Sequence, residues 1–197
     1  MIRFSSLPYH EKAILCQKVF TQAAASRILS ERWNVDLSRV SPKIKIRCDW
    51  EYVCWICVPG KRPIFISKME FIWHFIEFRT NSAMSKDLGV RLDYQYPQNA
   101  WIESWKNNGT HKVYNLDLHR DGIECDCQDF SGQHHEPFIP AIRRYIPGFK
   151  ATCKHVFCFL LSINLYSQHG WIENQRWADR WVPQPSIWDD DEYLVSA

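Results

Sequence analysis

Gly122-Ile123-Glu124-Cys125-Asp126-Cys127, followed after 25 further residues by Cys153-Lys154-His155-Val156-Phe157-Cys158-Phe159-Leu160-Leu161, is the pair of segments in this 197-residue chain whose reading decides the fold. Two close pairs of soft or borderline donors, C-x-C and C-x-H, can surround one metal ion at low entropic cost, because each pair needs little further ordering. A tetrahedral set of thiolates and imidazole is the habit of a structural zinc site. Cys125 and Cys127 leave a strand at a turn, where a knuckle can aim both sulfurs to one side. Cys153 and His155 stand where a nearly all-apolar helix begins, and a helix N-terminus favours a thiolate. The pattern predicts one structural Zn2+ held by Cys125, Cys127, Cys153 and His155.

Upstream of the first pair the sequence reads as a meander. Ala100 to Lys106 and His111 to Leu118 are strand-like and join across Asn108-Gly109, a two-residue hairpin signal, and Asp121-Gly122 turns the chain into Ile123 to Cys125. Downstream, the apolar run from Cys153 predicts a buried helix closing near Gly170. Nearer the start, Pro8 to Asn34 predicts one helix, with Leu15, Val19 and Ala23, and Phe20, Ala24 and Ile28, at helical spacing. Pro42 then opens a strand-like region: Lys43 to Cys48, Tyr52 to Val58, and Pro63 to Ile66 after a Pro59-Gly60 turn. Ser67-Lys68-Met69-Glu70 has the form of a capping box. It predicts a helix with Phe71, Ile72, Phe75 and Ile76 on one face, fraying near Asn81 to Ser85. Leu92 to Asn99, with Pro97, reads as a connection. The fold class is therefore α+β, an N-terminal helix, β-meander and helix followed by a zinc-stabilised ββα finger with a long loop. The expected domains are 1–99, 100–170 and a Trp-rich tail, 171–197.

These residues resemble a SWIM-type zinc finger, whose pattern is C-x-C, a variable loop and C-x-H, with a β-hairpin before and a helix after. Cys125, Cys127, Cys153 and His155 match it, and Phe130, three residues after the second cysteine, also fits. The resemblance covers about Trp101 to Gly170, and the loop lies at the long end of what the family tolerates. Members of this family occur in transposases, chromatin-remodelling ATPases, plant transcription factors, ubiquitin-ligase-like proteins and partners of recombinases. The resemblance implies a DNA-binding or protein-interaction module.

Other donors read differently. His134 and His135 in the loop are flanked by Gln and Glu and suit solvent better than a metal. Cys48, Cys54 and Cys57, with His74 on the next helix, include a C-x-x-C, but it lies inside a strand of bulky residues without a Gly or Pro knuckle. Core burial is expected for these, and for Cys16 and Cys158 on apolar helices. No enzyme is expected. Four protein donors leave no open position for an activated water, and there is no Gly-rich phosphate loop, no H-E-x-x-H and no G-x-S-x-G. The acidic run Asp189 to Glu192 reads as solvated tail.

Hydrophobic residues make up 46% of the chain, with Trp 10, Phe 11 and Tyr 8, so aromatic cores or an aromatic surface must be present. The first residues show no signal peptide, and no apolar run approaches the ~20 residues of a membrane span. An intracellular protein is expected, cytoplasmic, or nuclear in a eukaryote, with no membrane and no small-molecule substrate. Net charge is +2, so any nucleic-acid contact must come from a local patch. The segment Phe138 to Lys154 carries Arg143, Arg144, Lys150 and Lys154 and no acid, with Phe138, Tyr145 and Phe149 interleaved. Cations can meet phosphates while aromatics stack on bases, or Phe138, Ile139, Ile142, Ile146 and Phe149 pack down and the charges solvate the rim, and both can hold together. Arg143, Arg144, Tyr145, Lys150 and Lys154 are the candidate nucleic-acid contacts, with DNA favoured. The competing expectation is an adaptor that docks a protein partner through the tail tryptophans and the N-terminal domain.

Overall fold

The computed structural model describes residues 4–93, 99–105, 108–119, 122–134 and 137–162. The tail from 171 on, the helix closure near Gly170 and His135 lie outside the described residues. Two compact units are present. The first takes the described residues up to Arg79 together with Gly132–Phe149, and the second takes Thr80–Ser131 with the described residues from Lys150 onward. The sequence division at 99/100 therefore differs from the grouping of contacts, which falls at Thr80 and gives most of the expected finger loop to the first unit.

In the first unit the expected single N-terminal helix is two, α1 (Tyr9–Lys18) and α2 (Gln22–Trp33). The break has a local cause. The amides of Val19 and Phe20 both bond to Leu15 O, ending α1, and Thr21 Oγ1 then accepts from Ala24 N at 3.1 Å to cap α2. A threonine side chain that caps a new helix competes with continuing the old one. Asn34 closes α2 in the left-handed conformation, φ 51°. Pro42 falls in a 3-10 turn, Ser38–Lys43. Strands β1 (Lys45–Arg47), β2 (Val53–Cys57) and β3 (Ile64–Ser67) follow as an antiparallel sheet in that order. Its inner rows are Ile46, Ile56 and Ile64, and Cys54 with Ile66.

Helix α3 (Lys68–Ala83) starts where the capping signal places it: Ser67 Oγ accepts from Glu70 N at 3.0 Å. Glu70 itself turns to Arg32 rather than completing the reciprocal bond. Phe71, Ile72, Phe75 and Ile76 are buried, as the helical period requires, with Leu15, Phe20, Ala25 and Leu29 of the N-terminal helices also buried. Each such side chain contributes roughly 1.5–3 kcal/mol by leaving water. Lys68 is almost fully buried, with its ammonium over the Phe4 ring and donating to the carbonyls of Cys48 and Trp50. Burial lowers its pKa to about 8. From the Gly132–Phe149 segment, α5 (Phe138–Arg143) packs on α1, and Phe138, Ile142, Ile146 and Phe149 are buried.

The second unit is an antiparallel meander, β4 (Leu88–Leu92), β5 (Asn99–Trp105), β6 (His111–His119) and β7 (Gly122–Cys125), with α6 (Lys154–Ser162) packed on β4, β5 and β7. Strand β4 was not anticipated. Its Leu-Gly-Val-Arg-Leu alternates weakly, and Gly89 suits the place because the Trp105 ring lies 3.2 Å from where a Cβ would stand. The ladder of β5 and β6 closes at Trp105↔His111, so the hairpin connection is 106–110 and not two residues. Gly109 takes the positive φ, 78°, that the turn needs, and Asn108 Oδ1 accepts from Thr110 N. Val156, Phe157, Phe159 and Leu160 of α6 are buried, as are Ala100, Ile102, Leu116, Leu118 and Ile123 of the sheet.

His74 gives the first unit a pH dependence. It is buried on α3, and its Nε2 accepts from Arg27 Nε at 3.1 Å, which requires the neutral ring. Burial, with the Arg27 charge second, lowers its pKa to about 4. The unfolded chain, with an ordinary histidine near 6.5, takes up a proton first, so this contribution is complete above that pH and is lost as pH falls toward 4. The expected loss is on the order of 2 kcal/mol after allowing for solvent screening. Denaturant titrations from pH 7 to 4.5 should show a steeper fall for the wild type than for His74→Gln, whose amide oxygen still accepts from Arg27. Equal slopes would contradict this role.

Candidate metal centre

Strand alternation on β7 buries Ile123 and Cys125 and exposes Glu124 and Asp126. Cys125 pairs with Leu116 and so stands in the inner row of the sheet that also holds Ala100. One step further, Asp126 N donates to Asn115 O at 3.2 Å, and Asn115 Nδ2 donates to Asp126 Oδ2 at 2.9 Å. Pinning Asp126 outward carries the two-residue period on to Cys127, whose thiol therefore points back to the side of Cys125. There α4 (Gln128–His134) begins, and Phe130 N donates to Cys127 Sγ at 3.4 Å. A backbone amide aimed at sulfur is the knuckle feature expected of a thiolate ligand.

The second pair comes from the start of α6. Cys153 O accepts from Phe157 N, so Cys153 occupies the cap position, and His155 lies in the first turn. All four donors are buried, and their ligand atoms lie within 4.8 Å of one another. His155 Nδ1 is 3.7 Å from Cys125 Sγ and 3.9 Å from Cys153 Sγ. Tyr114 of β6 stacks on the imidazole with ring centroids 4.0 Å apart and planes 23° apart. That fixes the ring so that Nδ1 faces the sulfurs. Sequence reasoning missed Tyr114. Only the register places it: beyond Asn115 and Asp126, the next position across from Cys127 is Tyr114.

The electrostatics of the cluster call for a cation. Hydrogen bonds from Cys125 and then Cys153 hold Cys127 far below the ordinary thiol range. The bond to Cys127 is the main cause that pushes Cys125 up to about 12, and burial raises Cys153 well above its usual value. Three sulfurs share one buried place, with the charged form favoured at Cys127 and disfavoured at the other two. His155 Nε2 is buried without a hydrogen-bond partner among the described residues. These four residues can hold one metal ion, and among the described residues they are the one group with that geometry.

The remaining candidates fall elsewhere. Cys54 points into the core of the first unit and Cys57 onto the other side of β2, so the C-x-x-C does not converge. Cys54 Sγ donates to Cys48 Sγ at 3.4 Å, and His74 is engaged by Arg27. Cys158 is buried as expected, but Cys16 is exposed on α1, with its thiol toward Cys48. Arg143, Arg144 and Tyr145 belong to the first unit, and Lys150 and Lys154 to the second. Arg143 Nε donates to Phe149 O at 2.7 Å, and Arg144 meets the buried Glu11 at 3.4 Å; both guanidinium groups remain exposed. Phe149 is fully buried and unable to stack on a base, and the Tyr145 hydroxyl is buried too. Lys150 Nζ lies near Gly122. No protein-family model, curated protein or solved structure matches the chain.

Because ligating thiols must be deprotonated, metal binding near pH 7 should release protons, chiefly from Cys125 and Cys153, whose thiols are pushed up. Calorimetry of the metal titration in buffers of different ionisation enthalpy reads the number released directly. Release of no protons would contradict the assignment of three thiolate ligands.

Proposed function

We propose that this chain is a non-catalytic zinc protein acting in nucleic-acid transactions, DNA favoured, through a SWIM-type finger. The observation that carries the zinc reading is the closed Cys3His donor set, buried where hairpin end meets helix start. In a tetrahedral zinc site, bond lengths near 2.3 Å to sulfur and 2.0–2.1 Å to nitrogen place sulfur and nitrogen roughly 3.6 Å apart. The separations of 3.7 and 3.9 Å from His155 Nδ1 are close to that. Four protein donors fill the shell, which supports a structural ion in place of one that activates water. The order of strand, turn, strand with C-x-C, intervening segment, C-x-H and helix supports the family reading. Thiolate ligands also suit a reducing, intracellular setting, cytoplasmic or nuclear. Among the described residues no helix is long and apolar enough to cross a membrane.

The nucleic-acid reading rests on the family resemblance and on exposed cations. Arg143 and Arg144, on a segment without acids, suit phosphate contact, whereas the buried Phe149 restricts that segment to the backbone of a nucleic acid. The competing reading is an adaptor for a protein partner. Zinc-loaded protein titrated with DNA over a series of salt concentrations separates the two. Log affinity should fall linearly with log salt, by about 0.7–0.9 per phosphate contact. Arg143→Ala with Arg144→Ala should lower that slope with zinc retained. Absence of DNA binding even at low salt would leave the adaptor reading.

A further inference from the structure

We propose that the outer face of the β1–β2–β3 sheet is a stacking platform for single-stranded DNA, separate from the zinc finger. The inference deepens the nucleic-acid reading above and rests on it. Strand alternation sends Cys54, Ile56 and Ile66 into the core and leaves Trp55 half-buried and Phe65 54% exposed on the other side. The register places Arg47, Trp55 and Phe65 in one cross-strand row, Arg47↔Trp55↔Phe65. The Arg47 guanidinium lies 5.6 Å from the Trp55 ring centroid, and Trp50 meets Phe65 edge-on with centroids also 5.6 Å apart. Trp50 and Tyr52, in and beside the β1–β2 turn, are 41% and 50% exposed. Aromatic rings standing in water on a short sheet are costly unless something covers them.

Charge names the occupant. Residues 38–67 contain six cations, Arg39, Lys43, Lys45, Arg47, Lys61 and Arg62, and two acids, Asp49 and Glu51, a balance of 6 − 2 = +4. The whole chain is +2, so every other residue together sums to −2. All six cations are exposed, and Glu51 Oε2 is already occupied by Ser5 N. An exposed aromatic row that includes Arg47, with Lys45 two residues along β1, fits a polyanion with unpaired, stackable bases. Duplex DNA hides its base faces and cannot use the rings. The proposal commits to DNA, in keeping with the nucleic-acid reading above.

The test is fluorescence anisotropy with a labelled oligothymidylate of about 20 nucleotides, an oligouridylate and a duplex of similar length, on the full metal-loaded chain. Wild type should bind the oligothymidylate more tightly than the duplex and at least as tightly as the oligouridylate. Phe65→Ala, at an exposed site, should weaken it about 5-fold or more, while Phe65→Tyr keeps a stacking ring and should restore binding. Lys45→Ala with Arg47→Ala should reduce the salt slope by about 1.4. If the sheet variants bind as wild type while Arg143→Ala with Arg144→Ala does not, the platform is wrong and the nucleic-acid reading stands. Preference for duplex or for RNA overturns the platform as proposed, and binding of none of the three probes overturns both.

Discussion

Three thiol sulfurs and one imidazole nitrogen converge in a buried space where the end of β7 meets the start of α6, and the second unit is arranged around that meeting. Sulfurs this close repel one another as thiolates, and burial adds to the cost of each charge. The structure divides the burden unevenly: the Cys127 thiol is pushed down by its neighbours, and those of Cys125 and Cys153 are pushed up. A divalent cation at the centre would favour all three sulfurs as thiolates beside a neutral imidazole. The binding free energy of a structural site, roughly 10–16 kcal/mol in zinc-finger peptides, is comparable to the whole stability of a domain. Other features of the unit follow from placing these donors. Asn115 turns Asp126 outward so that Cys127 can turn inward, Tyr114 clamps the ring of His155, and the apolar face of α6 holds its first turn against the sheet.

The first unit handles buried charge without a metal. Lys68 donates to two carbonyls and sits over an aromatic ring, while Arg27 donates to a histidine that burial keeps neutral. Each cation is satisfied locally, so the inner side of the three-stranded sheet can be apolar throughout. Its outer side is then left to the aromatic and basic residues that the rest of the unit does not use. The basic segment after α5 has a double life of the same kind. Its apolar residues fill the core, and Arg143 and Arg144 tie down their own segment while keeping their guanidinium groups in water.

Much of this was legible from local patterns. The cluster of three cysteines and a histidine could be read because C-x-C and C-x-H carry their own spacing, and the meander because β5 and β6 alternate cleanly. Ser67 announced α3 through one capping bond. What could not be read depends on contacts distant in sequence. The break between α1 and α2 turns on Thr21 preferring to cap, a choice that helical periodicity alone does not register. Strand β4 is short, holds a glycine and gains its identity from β5. For Phe138–Phe149 the sequence leaves packing and base stacking both open, and only contacts with the core of the first unit decide that its apolar residues are buried. Tyr114 was invisible for the same reason: its role exists only once β6 and β7 are in register.

The most direct measurement of the central claim is X-ray absorption at the zinc edge on the protein as purified without chelator. The account predicts one zinc per chain with three sulfurs at about 2.3 Å and one nitrogen at about 2.0–2.1 Å. A shell of oxygen and nitrogen alone, or protein that folds and carries no zinc when the metal is supplied, would contradict it.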